Sequence, residues 1–338
     1  MIRVGIIGLG MMGRMHYANW ERIKGARVIA IADIDPRRAA GDLSGGWSNI
    51  AGGAESLDMA RIRGSVPPLE MIAWSDVDVV DICVPTPFHA EYAVAALEAG
   101  KHCVCEKPIA RTLAQARSIV AAAAKSKGFC LPAMCMRFWP QWAWLRDRVQ
   151  RGTYGKVLDA SFRRIGSMPG GWFRDGEMSG GAILDLHLHD TDFVKYVFGA
   201  PSAVQSWGYK YVTGCVDQVI TRYFYDDDGP VVTAEGSWGM ADGFGFQMSY
   251  CVNFEKATAE YIMARQDPLI LYRKGEALPV TCYGSDGYLA ELSHLAQSIR
   301  TGKKPTVVTP PDAMESLVIV EAERRSVETG RRVRVNLG

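Results

Sequence analysis

The sequence predicts an α/β chain of two domains. The first is an N-terminal Rossmann domain, a doubly wound parallel sheet. The second is a C-terminal α+β domain with a large open, mainly antiparallel sheet. Three observations predict this. Short apolar runs alternate with helical stretches up to about residue 133. The first run leads into G-x-G-x-x-G at Gly8, Gly10 and Gly13. Beyond residue 150 the pattern becomes period-2 runs joined by short connections. The expected domains are 1–133 and 134–338, an ordinary division for 338 residues.

In chain order, Ile2 to Ile7 reads as a buried strand, and a helix follows from about Met11 to Ile23, with Gly25 after it. A second strand, Arg27 to Ala32, ends in Asp33, and Pro36 can open the next helix. Gly41 to Pro68, with Gly45-Gly46, Gly52-Gly53 and Pro67-Pro68, reads as a long loop with room for one short strand. Val77 to Val84 is a buried strand closed by Pro85-Thr86-Pro87, before a helix from about His89 to Ala99. His102 to Cys105 is another strand, closed by Glu106-Lys107-Pro108. Thr112-Leu113-Ala114-Gln115 is a capping-box signature that starts an alanine-rich helix ending at Lys127-Gly128. Phe129 to Ala133 completes the set as a sixth strand.

An aromatic segment, Phe138 to Trp144, leads into a helix ending at Gly152. Period-2 runs follow at Val157–Ile165, Ala203–Val212, Val216–Tyr225, Val231–Trp238, Phe246–Phe254 and Thr258–Ala264. Asp228-Gly229 reads as a hairpin turn. One helix, about Gly181 to Phe198, interrupts the strands, and helices from about Tyr288 to Thr301 and Pro310 to Thr329 end the chain.

A formal net charge of +1 favours neither nucleic acid nor an anionic membrane. No apolar run reaches the length of a membrane span, and no basic segment precedes an apolar leader, so a cytoplasmic location is expected. None of the eight cysteines forms C-x-x-C, and Cys83, Cys103, Cys105 and Cys130 lie in apolar runs. Buried free thiols are expected rather than disulfides or zinc.

The glycine pattern carries a mechanism. Gly8 permits a tight turn, Gly10 lets the backbone approach a pyrophosphate, and Gly13 lets the helix pack against the strand. The helix N-terminus presents free N–H groups and a positive dipole end to the phosphates. Asp33, twenty residues past Gly13, stands where an acid accepts the ribose hydroxyls, which favours NAD over NADP. Arg37 and Arg38 pull mildly the other way. Lys107 follows a parallel strand at the edge where cofactor and substrate should meet, so acid–base work is expected of it. Asp185 and His189 are four apart and share a helix face, which also describes an ordinary surface ion pair. His187 and His189 diverge on a helix, so no metal is expected there.

These pieces together resemble the glucose–fructose oxidoreductase / inositol dehydrogenase (Gfo/Idh/MocA) family of NAD(P)-dependent oxidoreductases. The resemblance rests on Gly8 to Gly13, Asp33, Pro85-Thr86-Pro87 with His89, and the run Ala99 to Pro108. Arg137-Phe138, Gly180-Gly181-Ala182 with Asp185 and His189, and Tyr288 with Glu291 continue it over nearly the whole chain. It implies a catalytic set of Lys107, Asp185 and His189. It implies cofactor contacts from Gly8, Gly10, Met11, Met12, Gly13, Asp33, Pro85, Thr86, His89, Glu106 and Lys107. Arg137, Trp172, His187 and Tyr288 are the candidate substrate contacts. His187 stands where the family often has glycine, and Gly41 to Pro68 is longer than usual.

The reaction expected is NAD-dependent oxidation of a secondary hydroxyl of a sugar, sugar derivative or cyclic polyol. His189 is the general base oriented by Asp185, and Lys107 stabilises the developing alkoxide. An NAD-dependent glycosidase working through transient oxidation is the alternative. A non-catalytic dinucleotide sensor ranks last, because Lys107, Asp185 and His189 are all retained. The aromatic richness of the second sheet suggests a homodimer or a dimer of dimers.

Overall fold

A computed structural model describes residues 1–44, 53–64, 66–226 and 229–337. Gly45-Gly46 and Gly52 of the long loop, and Asp228 of the expected hairpin turn, lie outside the described residues. The first elements are β1 (Ile2–Ile7), α1 (Met11–Arg22), β2 (Ala26–Ala32), α2 (Pro36–Ala39), α3 (Pro68–Ala73), β3 (Val79–Ile82), α4 (His89–Glu98), β4 (His102–Glu106), α5 (Leu113–Lys125) and β5 (Cys130–Ala133). Then come α6 (Pro140–Gln150), β6 (Val157–Ser167), α7 (Gly176–Ser179), α8 (Gly181–Asp185), α9 (Leu188–Phe198), β7 (Ala203–Lys210), β8 (Val216–Phe224), β9 (Val231–Met240), β10 (Phe246–Phe254) and β11 (Ala257–Ile262). The chain ends with β12 (Leu269–Arg273), β13 (Glu276–Pro279), α10 (Gly287–Thr301), α11 (Pro310–Thr329) and β14 (Val333–Arg334).

The chain divides into two compact units, Met1–Phe138 with Asp286–Met314, and Trp139–Ser285 with Glu315–Gly338. The first unit therefore takes back α10, which the boundary at residue 133 assigned to the second domain.

The first unit is built on a parallel sheet in the order β2-β1-β3-β4-β5, the doubly wound arrangement expected. Its strands are continuous apolar runs because both faces are covered; Val4, Ile6, Val79, Val80 and Val104 are fully buried. The described residues form five strands here rather than six. In the long loop the expected extra strand reduces to isolated bridges, Ala30 to Arg63 and Asp42 to Ser56. Local signals in the sequence are met: Asp35 caps α2 with Pro36 at its start, and Thr112 and Gln115 form a reciprocal capping box on α5.

The second unit holds a sheet in the order β13-β12-β11-β10-β6-β9-β8-β7-β14. It is mainly antiparallel, with β6 and β9 paired in parallel. Strands β12 and β13 escape the period-2 reading because they are short and β13 is exposed throughout. On the covered face, fully buried Trp142 of α6 meets Phe193, Tyr250 and Tyr261 edge-on at 6.3, 5.1 and 4.5 Å. Arg164 of β6 makes a bidentate pair with Asp190 at 3.0 and 3.2 Å, which ties α9 to the sheet.

The single helix expected from Gly181 to Phe198 is broken. Helix α8 stops at Asp185, the His187 N–H reaches back to the Ala182 carbonyl at 2.8 Å, and α9 begins at Leu188. The break packs closely against the sheet. A Cβ on Gly236 of β9 would lie 2.6 Å from the His187 Cβ, so only glycine leaves room for this side chain. Among the described residues, no helix is long and apolar enough to cross a membrane. The eight cysteines are free thiols.

Candidate active site

The nucleotide end of the first unit grows from the turn after β1. Gly8 has φ +87°, and a Cβ there would stand 2.8 Å from the Cys83 carbonyl oxygen. A Cβ on Gly13 would meet the Gly8 carbonyl oxygen at 1.9 Å, so α1 can lie on the strand only with glycine at that position. Gly10 differs: a Cβ there would meet nothing within 4 Å. Its backbone faces open space at the start of α1, which has no capping side chain and no acid in its first turn. Met11 and Met12 form that turn. An open glycine at an uncapped helix N-terminus suits a phosphate-bearing ligand.

Asp33 follows β2. Its Oδ2 accepts the Leu9 N–H at 2.6 Å and its Oδ1 accepts the Asp35 N–H at 2.8 Å. Arg38 approaches it at 3.9 Å. Ile34 is fully exposed beside it, an apolar face next to the acid expected to hold a ribose, and was not among the site residues expected from the sequence. The signal was an isoleucine between two aspartates, where a turn needs no apolar residue.

The turns after β3 and β4 are joined by His89. Its Nδ1 lies 2.7 Å from the Pro108 carbonyl and its Nε2 lies 2.8 Å from the Val84 carbonyl. Burial pulls its pKa below the ordinary imidazole value, against those two carbonyls, which favour the charged ring. His89 thus sits beneath the expected cofactor-binding segments and ties them together. Pro85 precedes a short 3-10 turn, and Thr86 carries a buried Oγ1 that finds no protein partner. An orphaned hydroxyl at a strand's carboxyl end fits a ligand contact. Glu106 ends β4 nearly buried, and its Oε2 accepts the Lys107 N–H at 3.0 Å. The Lys107–Pro108 peptide is cis.

In the second unit Asp185 is the last residue of α8, 7% exposed, and His189 lies in the first turn of α9, partly buried. The break means that they belong to successive short helices rather than one face of a regular helix. His187 is fully buried, with Nε2 3.4 Å from both the Tyr223 hydroxyl and Glu323 Oε1. That is the environment of a packed core histidine. Trp172 stacks on Phe173 at 4.1 Å, and Phe173 packs edge-on against Trp238.

Arg137 is buried in the first unit, where it donates to the Val307 carbonyl at 2.9 Å and approaches Asp312 at 3.8 Å. Tyr288, half-buried, opens α10. Among the described residues, the clusters with metal-ligand spacing are His16 with Asp81 and Cys83, and His16 with Glu106 and Glu291; neither includes Asp185, His187 or His189. His16 was not among the site residues expected from the sequence.

Known proteins resemble the chain over nearly its whole length. The model described as the oxidoreductase family with NAD-binding Rossmann fold, GFO/IDH/MocA, matches residues 2–133. The GFO/IDH/MocA C-terminal domain matches residues 142–260. The chain is 27% identical over 350 residues to myo-inositol 2-dehydrogenase of Thermotoga maritima, covering 99% of this chain and 98% of that protein. It is 26% identical over 349 residues to scyllo-inositol 2-dehydrogenase (NAD+) of Bacillus subtilis, covering 99% and 97%. In fold it resembles levoglucosan dehydrogenase in complex with NADH and levoglucosan, with a TM-score of 0.84, 22% identity and 99% of each chain covered.

Proposed function

The chain belongs to the GFO/IDH/MocA oxidoreductases, and from that premise we propose that it is an NAD-dependent dehydrogenase oxidising a secondary hydroxyl of a cyclic polyol, sugar or sugar derivative. The observation that carries this reading is the carboxyl edge of the first unit's sheet. Four successive strands, β1 to β4, end there in the open Gly10 turn, Asp33, the orphaned Thr86 hydroxyl and Glu106-Lys107. In an open parallel sheet that edge is where a dinucleotide binds. Inositol dehydrogenases among the relatives support a polyol as substrate.

The backbone of Gly10, Met11 and Met12 holds the pyrophosphate, Asp33 holds the adenosine ribose, and Ile34 offers the adenine an apolar face. The bound NAD supplies the hydride acceptor. Lys107 donates a hydrogen bond to the reacting oxygen and stabilises the charge that develops on it. His189 takes the hydroxyl proton, and Asp185 orients the ring. His187 stays out of the chemistry and supports α8 and α9 from within the core. A screen of NAD reduction over inositols, sugars and anhydrosugars tests the reading. Turnover with at least one polyol or sugar is expected, and NADH release in step with substrate separates a dehydrogenase from a glycosidase. No reduction with any of them would sink it.

A further inference from the structure

A buried polar cluster lies behind Glu106, within the first unit. His16, on α1 one turn past Gly13, is fully buried. Its Nδ1 lies 2.9 and 3.0 Å from the two carboxylate oxygens of Asp81, which interrupts the apolar run of β3. Asp81 also accepts the Trp20 indole N–H at 2.6 Å. On the other side of the ring, Nε2 stands 3.0 Å from Glu106 Oε1, an ion-pair contact rather than a linear hydrogen bond. Both ring nitrogens therefore face carboxylates. A neutral imidazole has one N–H and would turn a lone pair toward one of those oxygens. A doubly protonated ring turns an N–H toward each, hydrogen-bonded at Nδ1 and at ion-pair distance at Nε2.

We propose that His16 is a positioning residue for Lys107: its imidazolium, anchored on Asp81 through Nδ1, fixes the Glu106 carboxylate through Nε2, and Glu106 fixes the Lys107 backbone. The inference rests on the catalytic reading of Lys107. The chain of contacts is continuous from Asp81 to His16, to Glu106 Oε1, and from Glu106 Oε2 to the Lys107 N–H. Glu106 is thus held at both carboxylate oxygens.

Charge agrees with this assignment. Burial disfavours the charged His16 ring, but Asp81 and the neighbouring Cys83 outweigh it and hold its pKa well above the imidazole range. Glu291, from α10, is fully buried in the same cluster, and neither of its oxygens has a hydrogen-bond partner. Burial and the Glu106 charge push its pKa well above the carboxylate range, which favours the neutral acid. With Glu291 neutral, one imidazolium faces two carboxylates rather than three.

The test has a spectroscopic and a kinetic arm. In protein labelled with 15N at histidine, the signal lost in His16→Gln should show protons on both ring nitrogens at about pH 8. A bare nitrogen in that signal would overturn the assignment. With NAD and the fastest substrate of the screen, His16→Gln should lower kcat about tenfold while KM for NAD stays within about twofold. Glu106→Gln should act likewise, and the double variant should be no slower than the slower single one. Multiplying losses, or wild-type kcat in His16→Gln beside a slow Lys107→Ala, would defeat the inference alone. Wild-type turnover in Lys107→Ala would instead defeat the catalytic reading on which it rests.

Discussion

The Asp33 carboxylate accepts the Leu9 N–H at 2.6 Å. The acid expected to hold a ribose therefore also holds the glycine turn, and one side chain couples the two halves of the nucleotide site. NAD should bind more tightly than NADP, since a 2′-phosphate would meet this anion. Asp33→Asn should move the affinity ratio toward NADP by about tenfold, with Arg38 released to meet the phosphate. It should also weaken NAD, because the turn loses its charged acceptor. Titration of both nucleotides checks this, and an unchanged ratio would count against it.

His189→Ala should lower turnover by about a hundredfold or more, the usual worth of a general base. NAD affinity should hardly change, since the glycine turn and Asp33 belong to the other unit. Steady-state kinetics and nucleotide titration on the same variant separate the two effects. Near-normal turnover would leave Lys107 as the proton carrier.

His187→Ala should act on stability. The ring is fully buried against Tyr223 and Glu323, and its removal leaves a cavity and strips Glu323 of a neighbour. A loss of about 2 kcal/mol or more is expected by denaturant unfolding. Substrate KM should move much less than the unfolding midpoint.

Stability of the first unit should fall on the alkaline side. Glu291 keeps its proton in the fold above the unfolded value of 4.5, so its contribution declines as pH rises from there toward its folded pKa. His16 contributes fully below 6.5 and loses that contribution as pH rises through its raised folded pKa. The groups facing them are Asp81, Cys83, Glu106 and Asp286. Between about pH 6 and about pH 9 the wild type should lose more of its thermal midpoint than Glu291→Gln, whose side chain is neutral throughout. Parallel curves for the two proteins would contradict the assignment.

The open face of the second sheet should be covered by a second copy of the chain. Trp207 of β7 is 54% exposed and pairs in register with Ile220 of β8, 42% exposed. Tyr209 adds to the same surface at 48%. Among the aromatic residues in and beside this sheet, Tyr223 and Trp238 are core, while Trp207, Tyr209 and Tyr211 are exposed. A dimeric or tetrameric mass is expected by light scattering at micromolar concentration, and Trp207→Glu should split it. A monomeric wild type would end the proposal.

Much of the first unit was legible because its signals are local. The Gly8–Gly13 turn, the Pro36 start of α2 and the Thr112–Gln115 capping box each lie within a few residues. The break between α8 and α9 was not legible, because the close packing of His187 at the break depends on Gly236, far along the chain. The role of α10 was hidden for the same reason: Glu291 meets His16 and Glu106 only in three dimensions. Yet Asp81 within Val79–Ile82, and a histidine on the inner side of α1, were visible charges in apolar surroundings. Buried polar residues of that kind call for partners elsewhere in the sequence.

The return of residues 286–314 to the first unit bears on how the chain comes off the ribosome. The nascent first 138 residues carry the complete parallel sheet but lack α10. Until α10 emerges, the side of α1 that bears His16 has no cover from Glu291. The second unit likewise waits for residues 315–338, which bring most of α11 and the edge strand β14. Neither unit closes on its first stretch of chain alone, since each takes a segment from beyond residue 285. The sheet of the first unit can form early, but its cover by α10 comes only after residues 139–285 have been made. A split of the gene after codon 138 would separate two incomplete halves rather than two autonomous modules.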